Sequence, residues 1–438
     1  MKMKTQRLRT KHLIASVFLV ATLAIGASAS TPSELSQFLA KTHTKTGIIK
    51  PPKGLLKHEY LVPAGPYYQL FDWDMYFMAV ALSYDKVSDP VVGSVEDFLE
   101  YVDENSNDPG YAPREIAPDQ FWALPEACKP FLAQAAVRAS ETRGDYGWAG
   151  KLFQKKQSFF QKLKHWARKS KQDDTQDEDK TPYGKLKLMV QYWERDRKAA
   201  DGLFVWYNGE ESGADNNPAV SDSPSRISEG VDLQVYMYRE YLALAKLADN
   251  LDHSDEADSF RKTAEDLRQL MIARMWSEAD GTFYNINSRT GEQVRIKTWT
   301  NFTPLWAKMA SPAQAKRMID EHLLSASEFW APHGVRSIAK SEPLYNPSDG
   351  YWQGPVWTLT NYLMMHGLMN YGYQDRAVEL AQKTVDLLVG DFKDSGGMNE
   401  CYNPETGEPT ASDHFVSWSL LAEHMLEEAQ TGADPTGI

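Results

Sequence analysis

The sequence has very little cysteine. Cys128 and Cys401 are the two cysteines among 438 residues, too few for the disulfide framework of a small secreted domain. They can form one bridge or remain two buried thiols, and the sequence does not decide between these. No cysteines and histidines cluster at the spacing of a zinc site. We therefore expect no metal site and no cofactor.

Basic residues are outnumbered by acidic ones. The chain has 47 Lys and Arg against 60 Asp and Glu, which gives a formal net charge of −13. An acidic surface repels phosphate groups, and this argues against nucleic acid as a partner. We expect a small carbohydrate as the partner, for the reasons given below, and the sequence does not indicate an oligomeric state.

Long apolar runs are absent beyond the first thirty residues. Five basic residues up to Lys11 precede a largely apolar run from Leu13 to Ile25, and the small residues Ala27-Ser28-Ala29 follow. This pattern predicts a signal peptide over residues 1–29. The run is shorter than the roughly 20 residues of a membrane span, although an uncleaved anchor is the alternative. We expect a periplasmic or secreted protein with no membrane contact after cleavage.

Helical spacing of apolar residues dominates the rest of the chain. Segments 231–245 and 254–275 form one predicted helical hairpin, with Ser254 as its second N-cap. Further helices are predicted at 73–84, 91–102, 132–141, 186–197, 312–324, 355–371, 374–389 and 412–429, with short strand-like pieces at 282–287 and 293–297. Short connections between paired helices favour antiparallel neighbours.

This pattern predicts an all-α fold in which helical hairpins close into a ring of six inner and six outer helices, with short β pieces in loops. No repeat of fixed period supports a solenoid. We expect one catalytic domain over residues 30–430, a charged helical or loop insertion near 146–182 and a flexible tail at 431–438.

Several loop segments combine acids, aromatic rings and turn residues. The chain has 13 Trp and 21 Tyr, and such rings fill a core or stack on sugars. Hydrolysis of a glycosidic bond needs two carboxyl groups, one to protonate the leaving oxygen and one on the opposite side of the sugar. Asp215, after a Gly-Ala turn, and Glu400, after a Gly-Gly loop, are candidates, with Trp206 expected to help desolvate Asp215. Spacing alone does not single them out from the other acids.

Four ordered motifs add a resemblance to a known family. Trp73-Asp-x-Tyr76, Glu211-Ser-Gly-x-Asp-Asn216, Tyr351-Trp-x-Gly-Pro-x-Trp357 and Glu400-x-Tyr402 resemble glycoside hydrolase family 63, and more distantly the trehalases. The likeness spans roughly residues 67–418. In size the chain is similar to short bacterial members, some of which hydrolyse mannosylglycerate or glucosylglycerate.

The resemblance implies an (α/α)6 barrel and inverting hydrolysis of a small α-glucoside or α-mannoside by an exo-acting enzyme. It assigns the general acid to Asp215 and the general base to Glu400, with carboxyl groups about 6.5–9.5 Å apart. The expected substrate-binding residues are Trp73, Asp74, Tyr76, Gln134, Trp206, Asn216, Tyr351, Trp352, Gln353, Gly354, Trp357 and Tyr402.

Some positions depart from the pattern of the family. Ala214 replaces a large side chain and Gln353 stands where Arg is frequent, so a carbohydrate-binding or sensor protein without activity is an alternative, as is a trehalase-like hydrolase. An anionic substrate would require a cation facing the pocket, and Arg114, Arg226 and Arg336 are equal candidates on the sequence alone.

Overall fold

A computed structural model describes residues 31–41, 47–121, 125–152, 180–221 and 227–438. The predicted signal peptide and residues 153–179 of the predicted insertion lie outside this part of the chain. Arg226 does as well. Within it, the regular structure is mainly helical, with short two- and three-residue strands.

Fourteen α-helices occur in the described residues. In chain order they are α1 (Pro32–Lys41), α2 (Asp72–Ser83), α3 (Asp89–Leu99), α4 (Leu132–Arg143), α5 (Pro182–Asp196), α6 (Gly209–Ser212), α7 (Pro218–Ser221), α8 (Val231–Asn250), α9 (Ser254–Met275), α10 (Thr303–Trp306), α11 (Pro312–Arg317), α12 (Thr358–Asn370), α13 (Gln374–Ser395) and α14 (Ala422–Thr431). A 3-10 turn at Trp299–Phe302 leads into α10, a π-helical turn at Met318–Leu323 continues α11, and a 3-10 turn at Ser417–Leu421 leads into α14.

Six of these segments form a closed inner ring. Helix α2 packs on α4, α4 on α8, α8 on α10 and α10 on α12, and the 3-10 turn at Ser417–Leu421 joins α12 back to α2. The inner helices are apolar or buried almost all round, as is typical of helices inside a core: eleven of the twelve residues of α2 and eleven of the thirteen of α12 are buried.

The outer layer consists of α3, α5, α9, α11, α13 and α14. The outer helix α9 buries one stripe, formed by Ala257, Ala264, Leu267, Met271 and Met275, which are spaced by three, four and seven residues. Helix α3 is more enclosed, with nine of its eleven residues buried. The hairpins α8–α9 and α12–α13 place an inner helix against its outer neighbour. The expected (α/α)6 barrel is confirmed.

Several predicted helix bounds shift for physical reasons. Helix α9 begins at Ser254 as predicted, but Ser254 is its first helical residue and the N-cap is His253, without a side-chain cap bond. Helix α12 begins three residues later than predicted, because the backbone of Val356 is extended and pairs with Arg336 and Tyr402. Residues 412–416 of the helix predicted at 412–429 are not helical. The rest of that segment divides into the 3-10 turn at Ser417–Leu421 and α14.

The strands pair as small antiparallel ribbons in the loops. They are β1 (Ile49–Lys50) with β2 (Tyr60–Leu61), β3 (Leu70–Phe71) with β4 (Glu115–Ile116), β5 (Ser228–Glu229) with β8 (Asn285–Asn287) and β9 (Gln293–Val294), β6 (Trp276–Ser277) with β7 (Thr282–Phe283), and β10 (Trp330–Ala331) with β11 (Gly334–Val335). The ribbon β3–β4 leads directly into α2, so it fixes the loop from which the inner ring begins.

The last residues are not the flexible tail that we expected. Thr436 is 2% exposed, its hydroxyl accepts a hydrogen bond from the Trp306 indole at 3.0 Å, and its carbonyl accepts one from Arg239 at 2.5 Å. Arg239 lies inside the ring on α8, where a buried guanidinium needs acceptors, and the carbonyl of Thr436 supplies one of them. This requirement orders the C-terminal segment.

Both cysteines are buried free thiols, so the structure contains no bridge between them. Among the described residues, no helix is both long and apolar enough to span a membrane.

Candidate active site

A cavity of about 280 Å³ opens at the end of the ring where the inner helices begin. Many of its lining residues lie at or before the starts of α2, α4 and α12 and of the 3-10 turn at Ser417–Leu421, because inner helices that run side by side bring their N-terminal ends together. Others, such as Glu115 and Asp215, lie on β4 and in the loop between α6 and α7. One part of the wall is aromatic and another carries carboxyl groups. Asp215 and Glu400 both face this one cavity.

Asp215 is held on a short loop between α6 and α7. The loop turns tightly, with the amide of Asn217 donating to the carbonyl of Ala214 at 2.8 Å. The carboxyl is exposed to the cavity but enclosed by its walls. This enclosure raises its pKa to about 6, although the charges of Arg114 and Lys129 act in the opposite direction. Asp215 can therefore hold a proton in mildly acidic solution.

A buried ion pair anchors the loop before Asp215. Glu211 and Arg197 are both fully buried, with Arg197 Nη2 3.0 Å from Glu211 Oε1. Glu211 also accepts hydrogen bonds from the backbone amides of Ala127 and Tyr207, at 2.9 and 2.5 Å. Removing one partner of a buried pair costs about 3–5 kcal/mol, so this anchor holds the acid loop firmly against α5.

Glu400 has different surroundings. It is 5% exposed and accepts hydrogen bonds from the Tyr67 hydroxyl at 3.1 Å and the Tyr351 hydroxyl at 3.1 Å. Burial raises the pKa of Glu400, while hydrogen bonds from Ser412, Tyr351 and Tyr67 act against this rise. Burial and the charge of Glu400 raise the pKa of Tyr67 to about 12, so its hydroxyl remains a donor. These donors favour the ionised form of Glu400.

Tyr351 adopts a strained backbone to reach Glu400. Its φ angle is 55°, in the left-handed region that a bulky side chain rarely occupies. Such a conformation costs of order 1–3 kcal/mol and persists where the surroundings enforce it. Here the amide of Trp352, the next residue, donates to the Asn216 side chain at 2.9 Å, which fixes the segment.

The floor of the cavity is a cluster of indole rings. Trp352 and Trp357 stack with ring centroids 3.7 Å apart and an interplanar angle of 3°. Trp73 lies 6.0 Å from Trp352 and 5.4 Å from Trp418. All four are at most 4% exposed. Flat apolar faces beside carboxyl groups match the two kinds of surface of a sugar ring.

Asp74 is a third carboxyl on the wall, at the start of α2. It is 4% exposed and accepts a hydrogen bond from the Ser417 hydroxyl at 2.5 Å. Burial raises its pKa to about 7, and the hydrogen bond from Ser417 limits the rise. The pKa values of Asp74, Asp215 and Glu400 are therefore all raised by burial at the same cavity.

The chain matches a known protein family over most of its length. Residues 67–419 match the family described as the mannosylglycerate hydrolase MGH1-like glycoside hydrolase domain. A mannosylglycerate hydrolase from Rubrobacter radiotolerans is 29% identical over 189 residues, which are 42% of this chain and 40% of that protein. A cytosolic neutral trehalase from Kluyveromyces lactis is 22% identical over 383 residues, 77% of this chain and 50% of that protein. The chain thus spans about half or less of these relatives.

A solved structure agrees at the level of the fold. The glycoside hydrolase family 63 mannosylglycerate hydrolase from Thermus thermophilus, in complex with Tris, superposes with a TM-score of 0.63 at 19% identity, over 90% of this chain and 99% of that chain. The chain belongs to the MGH1-like glycoside hydrolase family. Mannosylglycerate hydrolases and, more distantly, trehalases are among its relatives.

Seven of the predicted site residues of this family member lie on the cavity wall: Trp73, Asp74, Asp215, Tyr351, Trp352, Trp357 and Glu400. Three other predicted residues connect the loops instead. Asn216 donates to the Gly350 carbonyl at 2.8 Å, and Gln353 donates to the Asn216 carbonyl at 2.8 Å. Gly354 has a φ of 155°, and a Cβ there would meet the Asn346 carbonyl at 2.6 Å. The loops that carry Asp215 and the indole floor are thereby tied together.

Four predicted binding residues face the protein interior, which corrects our prediction for them. Tyr76 and Gln134 accept hydrogen bonds from Arg239 at 3.2 and 3.0 Å. Trp206 donates to Asp232 at 2.9 Å, so it does not desolvate Asp215.

Tyr402 is the fourth of these residues. Its hydroxyl donates to Asp391 at 2.8 Å and accepts from the Asn399 amide at 2.8 Å. It stabilises the turn before Glu400 without lining the cavity.

The structure adds lining residues that the motifs did not indicate. They include Tyr67, Gln69, Phe71, Glu115, Lys129, Glu210, Phe415 and Trp418. Of the three candidate cations, Arg114 lines the cavity, whereas Arg336 is buried against Glu405 at 2.6 Å. Gly213 is required beside them, because its φ is 80° and a Cβ would meet the Trp73 ring at 2.7 Å.

In the described chain, no three His, Cys, Asp or Glu side chains are grouped so that they could hold a metal ion.

A bell-shaped pH dependence of kcat/KM is expected in the acidic range. With Asp215 as the acid, activity falls as the pH rises through about 6. With Glu400 as an ionised base, it also falls as the pH drops through a pKa that burial raises above 4.5. Asp74 loses its proton near pH 7, on the same alkaline limb. The measurement is the dependence of kcat/KM on pH between pH 3 and 9. The two limbs of this profile report apparent pKa values that belong to the coupled carboxyl groups together. Activity that rises from pH 7 to 9 would contradict the assignment.

Proposed function

We propose that this glycoside hydrolase is an exo-acting, inverting α-glycosidase that hydrolyses a small α-glucoside or α-mannoside. The observation that carries the proposal is that Asp215 and Glu400 face one aromatic-floored cavity, where burial raises the pKa of both carboxyl groups and hydrogen bonds from two tyrosine hydroxyls counteract the rise for Glu400. The cavity volume is near the lower end for ligand pockets, about 300 Å³, which suits one terminal sugar and a small aglycone.

The reaction assigned to these groups has one step. Asp215 donates its proton to the glycosidic oxygen as the bond to the anomeric carbon breaks. Glu400 accepts a proton from a water molecule that attacks the anomeric carbon from the opposite face, so the anomeric configuration inverts. The Tyr67 and Tyr351 hydroxyls orient Glu400 for this role. Stacking on the indole floor and a hydrogen bond to Asp74 would hold the sugar.

A trehalase-like hydrolase is the second candidate. The neutral trehalase of Kluyveromyces lactis aligns over 77% of this chain, and trehalose is a small α-glucoside as well. A carbohydrate-binding protein without activity is the third candidate, motivated by Ala214 and Gln353. Gln353 contacts the acid loop rather than the cavity, and both carboxyl groups are present, which favours catalysis.

Asp215→Asn and Glu400→Gln should each lower kcat by about 10²–10⁴-fold on a small α-glycoside, because each removes a proton-transfer group. The two variants should then differ in their activity on an α-glycosyl fluoride, because fluoride needs no proton to leave. Asp215→Asn should recover most of its activity on the fluoride, and Glu400→Gln should not. Steady-state rates on both substrates give the comparison.

The matched control for these variants is Asp258→Asn, which removes one acidic charge from the exposed face of α9, where Asp258 pairs with Arg261. It should retain normal rates on both substrates. The unfolding midpoint of each variant, measured by tryptophan fluorescence, tests whether the variant remains folded. Substantial activity on the unactivated glycoside in both site variants would remove the assignment.

We also propose export of the protein to the periplasm or the medium. The support is the basic start, apolar run and Ala27-Ser28-Ala29 of the first 29 residues. N-terminal sequencing of the protein expressed with its first 29 residues should find a start near residue 30 in the exported fraction. A protein retained in the membrane with its N-terminus intact would indicate an anchor instead.

A further inference from the structure

The wall of the cavity carries more negative than positive groups. Two cationic side chains line it among the described residues, Arg114 and Lys129. Against them stand five carboxyl side chains, those of Asp74, Glu115, Glu210, Asp215 and Glu400. A ligand therefore meets an excess of carboxylate even when Asp215 and Asp74 hold protons.

Lys129 has no free charge for a ligand. Its Nζ lies 2.9 Å from Asp72 Oδ1, and its backbone amide donates to the other oxygen of Asp72 at 2.7 Å. The two side chains are 2% and 0% exposed. A buried pair of this kind is neutral as a unit, and separating its charges is costly.

Arg114 is surrounded by acceptors of its own chain. Its Nη1 donates to the Glu210 carbonyl at 2.9 Å, and its Nη2 lies 3.5 Å from Glu115 Oε1. Burial alone would lower the pKa of Arg114, but nearby carboxylates, among them Glu115 and Asp215, raise it. The guanidinium thus neutralises part of the wall and does not create a positive site.

Carboxyl groups lie near the proposed acid. The proposed acid, Asp215, must touch the glycosidic oxygen, so the aglycone binds beside it. The charges that act on the pKa of Asp215 include those of Glu210 and Glu400, which raise it, and those of Arg114 and Lys129, which lower it. The Glu210 side chain is exposed at the cavity, where a carboxylate accepts hydrogen bonds from hydroxyl groups.

We propose that the natural aglycone is neutral and rich in hydroxyl groups, and that the site discriminates against glycosides whose aglycone carries a carboxylate. The proposal rests on the function proposed above and narrows its substrate class. Hydroxyls can donate to the exposed Glu210, whereas an anionic aglycone places like charges together, which costs affinity. The specificity would differ from that named for the mannosylglycerate hydrolases among the relatives.

Binding to the Asp215→Asn variant tests this without turnover. Two compounds with the same sugar and linkage are compared by titration calorimetry, an α-mannosylglycerate and an α-mannosylglycerol, and the α-glucosyl pair is measured in the same way. The glycerol glycoside should bind about tenfold tighter or more at low salt, since like charges repel. The difference should narrow at 0.5 M salt, because ions screen the exposed part of the wall.

Glu210→Gln, made in the Asp215→Asn background, should reduce this preference for the neutral glycoside by about threefold or more, because it removes one like charge. Asp258→Asn in the same background is the matched control and should leave the preference unchanged. Equal or tighter binding of the glycerate would overturn the proposal, with Arg114 then acting as an anion site. Failure of both compounds to bind would also overturn it.

The hydrolase function is judged separately, by turnover of the wild-type enzyme on the same four compounds. Preferential binding of the neutral compounds with no hydrolysis of any of them would support this specificity and contradict the proposed function. Hydrolysis in which kcat/KM favours the glycerates would support the function and contradict the specificity.

Discussion

The buried ion pair between Glu211 and Arg197 is the constraint on which the site depends. A carboxylate without access to water must keep its partner and its hydrogen bonds, so the chain around Glu211 is fixed by the amides of Ala127 and Tyr207. The proposed acid follows four residues later. Its position is therefore set by burial in the protein and not by contact with a ligand.

From that anchor, hydrogen bonds extend across the cavity. Asn216, next to the acid, bonds the backbone of the segment that carries Trp352. The same segment reaches Glu400 in two ways, through the Tyr351 hydroxyl and through the pairing of Val356 with Tyr402. Acid, aromatic floor and proposed base thus belong to one connected framework. Preorganised groups of this kind need little rearrangement when charge develops in a reaction.

The sequence predicts the barrel well because its helices carry strong patterns. The amphipathic stripe of α9 and the apolar surface of α8 lead directly to an outer and an inner helix. Helix starts are less predictable, because α12 is delayed by the bridge at Val356, whose partners lie far away in the sequence. The C-terminal segment is ordered by Arg239, which no local pattern indicates.

The candidate site was predicted in part. A motif identifies a segment but does not decide which of its side chains face the cavity: in the segment that begins α2, Trp73 and Asp74 line the wall while Tyr76 is directed to the interior. Lys129 and Trp418 reach the cavity wall through closure of the ring. A local sequence pattern therefore does not predict that they line the cavity. The same closure reveals the excess of carboxyl groups beside the proposed acid.

In the proposed mechanism Glu400 activates a water molecule and does not attack the sugar itself. Proton NMR of the first product released from an α-glycoside distinguishes these mechanisms, because mutarotation is slower than a rapid enzymatic burst. With Glu400 as the base, the β-anomer appears first and then mutarotates to the equilibrium mixture of both anomers. Release of the α-anomer first would contradict the assignment of Glu400 as a base and indicate a covalent intermediate.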